Sequence, residues 1–161
     1  MFLVVLGCHK TPDPVSPPVP PSPEPAPAEA SRDAMVRALS ARDGAPPCAE
    51  VEALSADPVG DLVWIVENVG MPPTAPMSAA ACLLDRHAEA GAEAFEGWLS
   101  TDGHAGLASL VVQRFELLPS PVAVRFASVG LRGPYAESIR PAVAASMRPE
   151  VRAELGVDPI E

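Results

Sequence analysis

Two short stretches of this chain repeat one another 45 residues apart, and that repeat constrains its architecture more than any other feature. Leu54-Ser55-Ala56-Asp57 returns as Leu99-Ser100-Thr101-Asp102, and Leu62, Ile65 and Val66 fall on Leu107, Leu110 and Val111. Apolar residues at i, i+3 and i+4 belong to one face of a helix. A short helical unit carrying such a face cannot bury it alone, and stacking against a neighbouring unit supplies the core. The same spacing connects Ser31, Pro76 and Pro121, each read as a helix start, so the expectation is about three 45-residue units of three helices.

Helix starts are well marked, because a Ser or Asp followed by Pro places a capping side chain before a residue suited to the first turn. The expected helices run from Ser31 to Arg42, from Pro46-Pro47 to Ala56 with Val51 and Leu54 inward, and from Asp57-Pro58 to Val69. They continue from Pro76 to Ala88, from Ala92 to Ser100, and from an Asp102 cap to Leu118, the last apolar nearly all round and therefore central. Ser120-Pro121 opens a seventh, Tyr135, Ile139 and Val143 mark an eighth with Pro141 inside it, and Pro149 opens a ninth that Gly156 ends. No segment alternates with period two, so the fold class is all-α.

Before this domain, placed at 30–161, the composition changes. Nine of the 21 prolines lie between Thr11 and Glu29. Proline fixes φ and lacks the N–H, so residues 9–29 read as a disordered Pro-rich linker of mostly polyproline II character. At about 3.1 Å per residue it reaches roughly 60 Å. Residues 1–8 hold an apolar run, Phe2 to Leu6, followed by Gly7 and Cys8.

The net charge is −10, and from Ala30 onwards ten Arg face 18 Asp and Glu. An acidic domain repels phosphate backbones, so nucleic acid is excluded as a partner. No apolar run reaches the roughly 18–20 residues needed to span a bilayer. The three cysteines, Cys8, Cys48 and Cys82, show no C-x-x-C spacing, and no metal or cofactor is expected. Cys48 and Cys82 are read as small buried thiols, with a bridge between them as the alternative.

Catalysis needs converging acid, base or nucleophile groups. His87 follows Asp85-Arg86 at a helix C-terminal end, where a cation suits the helix dipole. His104 is placed on the surface near Asp102. Serines lack the Gly-x-Ser-x-Gly context of a nucleophile elbow. Glu50, Glu52, Glu89, Glu93 and Glu96 read as a solvated face, the other reading being a face for a cation or a basic partner. Trp98, beside Phe95 and Leu99, reads as core; exposed, it would be a binding hot spot. No catalytic residue is assigned.

Two resemblances sharpen this picture. Val5-Leu6-Gly7-Cys8 resembles the lipobox of bacterial lipoproteins, which implies Cys8 as the lipid-attachment residue and, with His9 after it, the outer membrane. Only seven residues precede Cys8 and none is basic, so that resemblance implies a start codon further upstream. Pro121-Val-Ala-Val124-Arg125-Phe-Ala127 and Pro149-Glu-Val151-Arg152-Ala153 resemble the second helix of HEAT repeats. All-helical self-similarity at 40–47 residues is the signature of HEAT and armadillo arrays. The resemblance implies a short α-solenoid that binds another protein. The expectation is a non-enzymatic, lipid-anchored adaptor on the periplasmic side of the envelope, touching the membrane only through its anchor. The alternatives are a soluble cytoplasmic adaptor, and an enzyme or accessory subunit acting on a partner protein.

Overall fold

A computed structural model of the protein describes residues 27–41 and 44–158. Segment 1–8 and the linker as far as residue 26 lie outside the described residues, and Cys8 with them. The described residues form nine α-helices, one 3-10 turn and no strand. In chain order these are α1 (Pro27–Leu39), α2 (Cys48–Glu52), α3 (Pro58–Asn68), α4 (Thr74–Arg86) and α5 (Ala92–Ser100). Then come α6 (Ala105–Arg114), a 3-10 turn at Phe115–Leu117, α7 (Ser120–Gly130), α8 (Ala136–Ala144) and α9 (Pro149–Leu155).

The proline signals place α3, α7 and α9 well. Asp57 accepts a hydrogen bond from the Gly60 N–H at 3.1 Å with Pro58 next in line, and Gly156 ends α9 in the left-handed region at φ +62°. Other boundaries move, for local reasons. α1 already includes Pro27 to Ala30 ahead of Ser31, and Ala28, Glu29 and Ala30 are sound helix formers. Ser31 therefore lies inside the helix, where its hydroxyl donates to Asp61. α2 is only five residues long, and Leu54, expected inward, lies beyond it and is exposed. Asp102 caps nothing: Gly103 turns the chain at φ +101°, and α6 starts at Ala105. The continuous helix expected as far as Leu118 tightens to a 3-10 turn at Phe115, because Leu118 must be extended before Pro119. That switch buries Leu118 and leaves Leu117 78% exposed.

The helices pack in a regular order. α1 and α3 pack on each other and on α4; α4 packs on α6, and α6 on α8; α5 packs on α7, and α7 on α9. Cross-contacts of α5 with α6, α7 with α8 and α8 with α9 join the two rows. One continuous core runs between them, from Met35 and Leu39 through Leu62, Ile65, Leu83, Phe95, Leu99 and Phe126 to Val143 and Val151. Ala75, Ala79 and Leu83 on α4 stand where Leu107, Val111 and Phe115 stand 32 residues later, and where Ile139 and Val143 stand after 32 more. Every one of these is buried.

The period of the packing is thus not 45. α4, α6 and α8 begin 31 residues apart. Every hydrogen bond from a side chain to a distant part of the described chain spans 29 to 34 residues. The 45-residue correspondence relates Leu62 and Ile65 on α3 to Leu107 and Leu110 on α6. Both helices flank α4, so the correspondence joins two neighbours of one helix rather than successive units. Ser31, Pro76 and Pro121 likewise fall at the fifth, third and second residues of their helices. The starts of α4, α6 and α8 thus follow one another at 31 residues, not at 45.

Candidate functional site

Charged and polar side chains form the seams between neighbouring helices. Asp61 on α3 is buried and accepts from Ser31 Oγ at 2.7 Å, Arg32 Nε at 2.7 Å and Ser55 Oγ at 2.6 Å. Burial pushes its pKa up, but the hydrogen bonds from Ser55, Ser31 and Arg32, with the Arg32 charge, outweigh that and hold it below the usual value. The Arg32 guanidinium also stacks on Trp64, 4.7 Å from the ring centre. Farther along, Arg114 meets Asp85 at 2.7 Å and Arg125 meets Glu96 at 2.6 Å. The Tyr135 hydroxyl donates to Thr101 O at 2.9 Å and accepts from the His104 N–H at 2.5 Å, joining the heads of α6 and α8. Arg148 forks onto Leu118 O and Phe115 O at 2.7 and 2.5 Å, with its guanidinium 5.5 Å from the Phe115 ring centre. None of these seams is visible as a motif, because all their partners but Ser55 lie 29 to 34 residues apart.

Cys48 and Cys82 are not separate thiols. They form a disulfide between α2 and α4 with a Cα–Cα distance of 5.4 Å, inside the 4.4–6.8 Å a bridge needs. The buried-thiol reading is corrected. Sequence spacing says nothing of which helices pack. Trp98 is core as expected, 5% exposed and edge-on to Phe95 at 4.9 Å. Phe95 in turn meets Phe126 of α7 at 5.3 Å.

The histidines sit at opposite turns. His87 follows α4 and helps line a hollow of about 380 Å³ with Asp85, Glu89, Ala90, Leu117 and Pro119. Its Nε2 is buried 3.1 Å from Glu52 Oε1, out of line for a hydrogen bond. The same Glu52 carboxylate takes Arg86 Nε at 2.8 and 3.0 Å. Glu52 and Asp85 are therefore engaged by arginines, and no hydroxyl or thiol is among the residues lining this hollow. His104 precedes α6 and faces a smaller, apolar hollow of about 260 Å³ with Val66, Pro76, Met77 and Leu107. The two histidines are not brought together.

Three further hollows lie along one row of helices. Between α3 and α5 one of about 410 Å³ is lined by Glu67, Glu93, Ala94, Gly97 and Trp98. Between α5 and α7 one of about 450 Å³ is lined by Glu96, Gly97, Ser100, Val129, Arg132 and Gly133. Between α7 and α9 one of about 430 Å³ is lined by Pro121, Val124, Arg125, Glu150 and Glu154. Of the acidic residues read as a solvated face, Glu93 and Glu96 belong to this row, whereas Glu52 and Glu89 belong to the His87 end. Comparison of the chain with family models, with curated proteins and with solved structures gives no match. No described helix is long and apolar enough to cross a membrane.

Proposed function

We propose that this protein is a non-enzymatic, protein-binding module of the bacterial cell envelope, a short HEAT/armadillo-like α-solenoid held to the membrane by a lipid on Cys8. The observation that carries the binding reading is the constant offset of the inter-helix seams, 29 to 34 residues, together with hollows that recur between successive helices of one row. Units related by one small step build an extended surface of like grooves, the kind of face repeat proteins use to bind partners. The arginines that occupy Glu52 and Asp85 support the non-enzymatic reading, since a general base needs its carboxylate free.

The compartment rests on separate support. A structural disulfide is at home in an oxidising environment such as the periplasm, and the Cys48–Cys82 bridge belongs there. Cys8, which takes no part in that bridge, lies between an apolar run and a Pro-rich spacer, the order a lipid-anchored domain held off a membrane calls for. Two experiments test the proposal. Intact mass of the protein expressed from its native locus, upstream DNA included, should show a chain beginning at an acylated Cys8, with the acyl mass absent from Cys8→Ser; an unmodified chain starting at Met1 sinks the anchor. In-cell photo-crosslinking scanned over the helix surfaces should give one discrete protein adduct. A scan with no adduct at any position sinks the binding module.

A further inference from the structure

We propose that the line of hollows across α3, α5, α7 and α9 is a docking groove for a basic, Arg- or Lys-rich segment of the partner protein. This rests on the protein-binding reading and gives it a face and a chemistry.

The first observation is continuity. The hollow between α3 and α5 and the hollow between α5 and α7 share Gly97, and the third adjoins the second across the Glu96–Arg125 ion pair. The second is Gly97 itself. It lies in the interior of α5, where glycine costs about 1 kcal/mol relative to alanine. A Cβ at this position would meet nothing within 4 Å, so no contact inside the protein requires the missing side chain. What the glycine does is keep the junction of two hollows open to whatever lies in them, and a bare helix surface lets another backbone come close. The third observation is charge. Glu67, Glu93, Glu96, Glu150 and Glu154 line the row, against Arg125 and Arg132. Arg125 is paired with Glu96 at 2.6 Å, while Arg132 donates to the neutral Ser128 Oγ at 2.8 Å and keeps its charge in the middle hollow, so the unpaired carboxylates of the row are Glu67 and Glu93 at one end and Glu150 and Glu154 at the other. The Glu96 hydrogen bond raises the Arg125 pKa against desolvation, and the Glu96 and Glu93 charges raise it further. The field in the groove therefore favours a cation, and a cationic segment lying across the helices would meet carboxylates from α3, α5 and α9 in turn.

The test uses the full chain and two fluorescent probes, a peptide of alternating Arg and Ala and its Glu–Ala counterpart, read by anisotropy. The arginine peptide should bind, more weakly as salt rises, and the glutamate peptide should not. Glu93→Gln combined with Glu154→Gln should weaken binding about tenfold. Gly97→Leu changes no charge and should weaken binding by about tenfold or more, with the circular dichroism spectrum kept. Glu137→Gln on α8, outside the row, should leave the affinity unchanged. Binding that ignores Gly97→Leu, or that falls as far with Glu137→Gln, is attraction to a chain of charge −10 and overturns the groove. Failure of the arginine peptide to bind also overturns it. If protein adducts still form from another surface in cells, the binding module stands and only this face is wrong.

Discussion

Asp61 shows how much one side chain can carry in a small helical protein. Its carboxylate draws α1 and the turn before α3 onto α3 through three hydrogen bonds. Asp61→Asn should cost about 1–3 kcal/mol in urea unfolding, since an amide replaces a charge that accepts three donors. The pH dependence follows from the lowered pKa. The stabilisation is complete above the ordinary value of 3.8 and is lost as the pH falls through 3.8 towards the native value. Asp61→Asn should therefore flatten the acid limb of the stability curve below about pH 5 and leave its neutral part parallel to the parent curve. Gly133 carries a different constraint. A Cβ there would lie 2.6 Å from the Leu99 carbonyl oxygen at the end of α5, and backbone cannot move aside as a side chain can. Gly133→Ala should lose about 1–3 kcal/mol, read as a fall in melting temperature, by forcing the α7–α8 turn off α5. Neither role is legible in the sequence. Asp61 reads as one more polar residue in an amphipathic helix, and its partners Ser31 and Arg32 lie 30 and 29 residues away.

The elements divide by how they are held. α3, α7 and α9 announce themselves through Asp57-Pro58, Ser120-Pro121 and Pro149, because proline in the first turn, joined at α3 by the Asp57 cap, acts within one turn of chain, whereas Ser120 lies inside α7 and caps nothing. α2 is different. Five residues cannot sustain a helix in water, where nucleation alone is unfavourable. It persists because Val51 is buried, Glu52 holds Arg86, and Cys48 is bonded to Cys82 across a separation of 34 residues. A closed loop of that length is worth about 4 kcal/mol on chain-entropy grounds. Reduction, or the pair Cys48→Ala and Cys82→Ala, should lower stability by about 2–4 kcal/mol and first raise hydrogen exchange in α2. The thiol reading failed here because pairing depends on which helices pack, and that is decided across the whole unit. α8 keeps Pro141 at an exposed position, where the lost N–H bond is tolerable because Ile139 and Val143 remain anchored in the core.

For the molecule as a whole, stability should be graded along the row of helices. α4 and α7 have packed neighbours on several sides, whereas α9 packs mainly on α7 and α8 at the C-terminal end of the described helices. Native-state hydrogen exchange should show the slowest amides in α4 to α7 and the fastest helical amides in α9. Uniform protection across all the helices would mean that the array unfolds as a single unit. The sequence by itself determined that the domain after the Pro-rich stretch is all helical, where most helices begin, and which apolar faces turn inward. Those properties follow from interactions within about four residues, and a linear string displays them directly. It also held a partial repeat, but read that repeat at 45 residues, because one conspicuous tetrapeptide outweighed a diffuse pattern of Ala, Leu, Val and Phe. Only the tertiary structure decided that the packing step is near 31, that Cys48 meets Cys82, and that Glu93, Gly97 and Glu150 line one row of hollows. These facts depend on which helix lies beside which, and side-chain volume and the lengths of the turns settle that only once the core is assembled.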